Sequence, residues 1–81
     1  MVINWAEFNS KDEVKQYVTQ ALSAFGSVQS VHIFEPVPSN PQRIVLATML
    51  DMEQARIASS SLSLRSFGHK SLIIPITQQH S

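Results

Sequence analysis

Cysteine is absent from this sequence. That excludes a disulfide scaffold and a cysteine-based zinc centre. Glycine occurs only at Gly26 and Gly68, each explained by a turn, so no glycine-rich loop is present to cradle a phosphate. Charge is scarce: 15% of residues are charged, against about 25% in soluble proteins generally. Six Lys/Arg balance six Asp/Glu to a formal net charge of zero, whereas a general electrostatic grip on nucleic acid has a basic domain as its footprint. No run approaches the roughly 18 apolar residues of a membrane span, and no basic start followed by an apolar run marks a signal peptide. The expectation is an intracellular chain, nuclear or cytoplasmic, with no membrane partner. His32, His69 and His80 have no metal-ligand spacing, so neither a metal site nor a cofactor is expected. Twelve serines, three histidines and two aspartates would yield a triad by chance, so drawing one means nothing. The chain is read as non-catalytic.

What is present is enough to fold. The apolar fraction is 43%, sufficient to offset chain entropy. At 81 residues the length fits one domain spanning 1–81. No repeat, linker or charge block divides it. The local biases are a proline-rich stretch at 35–41 and a serine-rich one at 59–66.

A helix is expected over about residues 11–25. Ser10 and Glu13 make a Ser-x-x-Glu capping box. Val14, Tyr17, Val18, Ala21, Leu22 and Phe25 recur at the spacing of one helical face, and Gly26 stands where a left-handed residue ends helices cheaply. Residues 2–8 read as a first strand, 28–37 as a second and 43–50 as a third. Asp51 caps a second helix with Gln54 at the capping-box position. Ala55, Ala58 and Leu62 share one face of that helix. Phe67 and Gly68 turn the chain into a last strand over 72–77.

The order β-α-β-β-α-β is that of two split βαβ units. The expected fold class is α+β: a ferredoxin-like sandwich, with a four-stranded antiparallel sheet and both helices on one face. The first and third strands should be central, the second and fourth at the edges. Pro75 fits an edge strand, where proline is tolerated.

Three segments resemble the RNA-recognition-motif (RRM) family. Residues 22–28 (Leu-Ser-Ala-Phe-Gly-Ser-Val) look like its first helix end and second-strand start. Residues 51–58 (Asp-Met-Glu-Gln-Ala-Arg-Ile-Ala) look like its second-helix start. Residues 67–74 (Phe-Gly-His-Lys-Ser-Leu-Ile-Ile) look like its ending. The resemblance implies an RRM-like domain whose family binds single-stranded RNA on aromatics of the two central strands. The third-strand motif departs from the family's. Gln42 holds the basic position with Arg43 beside it, and the two stacking positions are Ile44 and Leu46. Trp5 takes the first strand's aromatic position, and a one-residue shift would turn it into the core. Two lost aromatic platforms, each worth about 1–3 kcal/mol of stacking, disfavour the usual RNA mode.

If Val31 and Ile33 face the helices, as the family pattern implies, the open face holds Ile3, Trp5, His32, Phe34, Ile44, Leu46 and Thr48, with Arg43 in reach. Monomers seldom leave such an apolar patch in water. The leading expectation is protein–protein interaction or homodimerisation through this face. The alternative is single-stranded RNA bound by Trp5, His32, Phe34 and Arg43, and a small-molecule regulatory domain is a distant third.

Overall fold

The computed structural model describes residues 1–39 and 43–77. Asn40 and Pro41 of the proline-rich stretch, Gln42 at the motif's basic position, and His80 lie outside the described residues. The protein is an α+β fold. In chain order it consists of β1 (Ile3–Asn4), a 3-10 turn (Trp5–Glu7), α1 (Lys11–Ser23), β2 (Val28–Phe34), β3 (Ile44–Met49), α2 (Met52–Leu62), β4 (Arg65–Phe67) and β5 (Ser71–Thr77). Neither helix is long and apolar enough to cross a membrane.

The helix caps follow from local chemistry. Ser10 Oγ accepts from the Glu13 amide at 3.2 Å, and the Glu13 carboxylate accepts from the Asn9 amide at 2.9 Å, so donors at the start of α1 are paired from both directions. Asp51 caps α2 by accepting from the Glu53 amide. Val14, Val18 and Leu22 of α1 and Ala55 and Ala58 of α2 are buried against Val45, Ala47, Met49, Leu72, Ile74 and Ile76 of the sheet. The strand contributions alternate, so one sheet face carries the core and both helices.

The strand order is β1-β5-β3-β2, with β4 also paired to β5. This departs from the expected sheet. The first strand is not central. Two residues long, it lies at the rim and pairs parallel to the end of β5, Ile3 opposite Ile76. The reason is local. The Asn4 side chain accepts from the Ala6 amide at 3.1 Å, and such side-chain capture of the backbone competes with strand pairing. The chain turns into a 3-10 helix where residues 5–8 would have continued the strand. The place beside β3 goes to β5, whose seven residues alternate between buried and half-buried.

Pro75 therefore lies in an inner strand, not an edge strand. It is accommodated by a gap. On the far side of β5, β4 pairs as far as Ile73 and β1 begins at Ile76. No residue of either is registered opposite Pro75, so on that side no ladder donor is missed. The strand β4 is also unexpected. It forms a hairpin with β5 across the turn containing Gly68, whose φ of +74° suits glycine.

Candidate functional site

Register places the exposed face of the sheet in rows. Phe34, Ile44 and Pro75 form one row, and His32, Leu46, Ile73 and Arg65 the next. Ser30, Thr48, Ser71 and Phe67 form the third. Residues directly opposite in antiparallel pairs share a face, so these side chains lie together on the face away from the helices. Thr48 and Ser71 join hydroxyls at 2.9 Å, which makes that end polar. The other two rows are dominated by apolar side chains. Phe34, Ile44, Leu46, Ile73 and Phe67 line a shallow, wholly apolar groove of ≈ 190 Å³. A second, larger hollow of ≈ 530 Å³ shares Ile44 and Ile73 with it and continues past Pro75 to Ser63, Leu64 and Arg65. Phe34 is 43% exposed and Phe67 62%, and the His32 ring meets the Phe34 ring edge-on at 4.5 Å.

Of the residues expected on this face, His32, Phe34, Ile44, Leu46 and Thr48 are there. Ile3, Trp5 and Arg43 are not. Ile3 is 1% exposed and belongs to the core, because β1 pairs with β5 at the rim instead of crossing the middle of the sheet. Trp5 lies in the 3-10 turn and packs against the core. Arg43 is one residue out of phase with Ile44. Its guanidinium stacks 4.0 Å from the Trp5 ring centroid and bonds the Glu35 carboxylate at 2.8 Å. Its Nε finds no hydrogen-bond partner among the described residues, as befits a cation held over a ring face by the ring quadrupole. Glu35 also pairs with Lys11 at the start of α1. Arg43 thus belongs to a tether between sheet, helix and 3-10 turn, off the open face.

The Lys11 ammonium holds the Glu35 carboxyl below the usual carboxylate range, Arg43 adds to the effect, and partial desolvation opposes it. A carboxylate whose folded value is depressed contributes stability above its unfolded value and loses it as pH falls through the folded one. Glu35→Gln is therefore expected to flatten the acid limb of the urea midpoint plotted against pH, below about pH 5. Superimposable acid limbs in the variant and the parent would show that the tether is not linked to folding.

Sequence reasoning missed Ile73, Pro75, Arg65 and Phe67. The alternation of Leu72, Ile74 and Ile76 carries the signal for the first two. No comparable signal exists for the others, since their position depends on the hairpin of β4 with β5. Among the described residues no group of three His, Asp or Glu side chains could hold a metal ion.

The chain matches no protein-family model, and no curated protein or solved structure shows significant similarity to it.

Proposed function

We propose that the chain is a non-catalytic, RRM-like binding module, a variant of the ferredoxin-like β-α-β-β-α-β plan, which takes an apolar protein segment on its open sheet face. The element order and the three family-like segments support the kinship. The short first strand at the rim is the departure from it. One observation carries the function: five apolar side chains from four strands line one groove, with no described segment covering it. An apolar groove that no described segment covers supports an interaction site there.

Single-stranded RNA is the second reading, favoured by the exposed Phe34 and Phe67 rings with His32 beside them. Each ring could stack a base. The floor between them is Ile44, Leu46 and Ile73, which have no π-face. The registered rows carry one Lys/Arg, Arg65, where phosphate binding draws on several cations.

Peptides selected from a random displayed library on the intact chain test the proposal. The selected sequences are expected to be rich in apolar residues and to bind the Leu46→Asp variant at least tenfold more weakly. Leu46 is only partly buried, so the variant should keep the parent's circular dichroism. Selected peptides that bind both proteins equally would place the site elsewhere and sink the reading.

A further inference from the structure

The charge distribution around the groove narrows the partner, given the binding face proposed above. The registered rows carry one charged side chain beside neutral and apolar ones: Arg65, at the end of the row His32–Leu46–Ile73–Arg65. Arg65 is exposed, lines the larger hollow, and has no ion-pair partner among the described residues. The acidic residues all lie elsewhere. Glu7 is in the 3-10 turn, Asp12 and Glu13 start α1, Glu35 is tied to Lys11 and Arg43, and Asp51 and Glu53 start α2. Among the described residues the face thus presents an apolar floor, one Lys/Arg side chain and no Asp or Glu.

A second copy does not complement that pattern. Two such faces would place cation and apolar surface against the same, with no carboxylate between them. They are also small. Four strands at about 4.8 Å spacing, and about five residues along each, cover on the order of 300 Å². A stable interface uses about 800 Å² per partner.

An extended peptide does fit. From β2 to β4 is three strand spacings, about 14 Å, which an extended chain crosses in about four residues. Alternate side chains, about 6.6 Å apart, would all point at the sheet. We infer that the groove binds an extended acidic peptide, with two apolar side chains at alternate positions over Leu46, Ile44 and Ile73 and an Asp or Glu side chain two residues further on, paired with Arg65.

The test uses two synthetic pentapeptide pools, acetylated and amidated, of the pattern apolar-Ser-apolar-Ser-Glu and apolar-Ser-apolar-Ser-Lys. A degenerate single-stranded RNA pool is the third probe. Each is titrated into the isotope-labelled chain at low salt. The Glu pool is expected to shift the amides of Leu46, Ile73 and Arg65 and to bind about tenfold more tightly than the Lys pool, a factor equivalent to about 1.4 kcal/mol. Arg65→Glu should reverse that order. Arg65→Gln, which removes the charge and keeps the chain length, should bring the two pools within about threefold. Equal binding of both pools at the same amides would overturn the acidic selection and leave the apolar face standing. Silence of those amides toward both pools would overturn both readings. Tighter binding of RNA than of the Glu pool there would transfer the face to nucleic acid. Ligand-free broadening of those amides with rising protein concentration would assign it to a second copy.

Discussion

Leu22→Ala is expected to destabilise the fold by about 2–5 kcal/mol, the range for deleting a buried leucine side chain beyond Cβ. Leu22 has no exposed surface and packs in the layer between α1 and the sheet, with Val14 and Val18. Its removal forfeits transfer free energy and leaves a cavity that the rigid sheet cannot wholly close. A domain of this size has on the order of 4–12 kcal/mol of total stability, so the upper end of the range would leave little folded protein. The melting temperature should fall by on the order of 10–30 °C, at the usual response of a small domain. Urea denaturation followed by circular dichroism reads the effect. A loss under about 0.5 kcal/mol would mean that α1 does not bury this face.

Gly26→Ala is the second large effect, and its cause is tertiary. The expected role of Gly26 was a left-handed helix terminus. Its φ is instead +156°, in backbone territory that side-chain-bearing residues avoid. A Cβ placed there would collide with the Gln54 side-chain amide and lie 2.9 Å from the Gln54 Cβ. Gln54 belongs to the first turn of α2, and the chain after Gly26 is bonded to the same region, the Leu50 amide donating to the Ser27 carbonyl at 3.1 Å. The added methyl would wedge the α1–β2 turn away from the start of α2. Backbone strain and overpacking together should cost about 2–4 kcal/mol. A double-mutant cycle with Gln54→Gly separates them. The collision is relieved in the double variant and the strain is not. An alanine variant as stable as the parent would disprove the close approach.

The binding reading depends on the same architecture. Because β5 lies beside β3, the face gains Ile73 and Pro75, and the hairpin partner β4 adds Phe67 and Arg65. The expected face, with Ile3 and Trp5 across its middle, would have been an apolar platform with a displaced indole. The observed one is an apolar groove, with Arg65 lining the hollow that adjoins it. Trp5 and Arg43 lie off this face and instead brace the end of the sheet near α1.

The sequence by itself determined the α+β class, the order of the elements other than the 3-10 turn and β4, and both helix N-caps. These follow from local spacing. Val14, Val18 and Leu22 recur at helical intervals, and Ser10 and Asp51 meet amides two or three residues away. The outward placement of His32, Phe34, Ile44, Leu46 and Thr48 rested on the pattern of the family the sequence resembles, and the observed register places them there. Only the tertiary structure decided which strand lies beside β3. That choice compares the burial offered by two distant segments: β1 gives way to a 3-10 turn after two residues, and β5 offers seven. Everything that depends on the choice was hidden with it: the burial of Ile3, the withdrawal of Trp5 and Arg43, the gap that accommodates Pro75, and the hairpin that brings Phe67 to the groove and Arg65 to the hollow beside it. Register between strands dozens of residues apart is set by their shared core, and no local pattern records it.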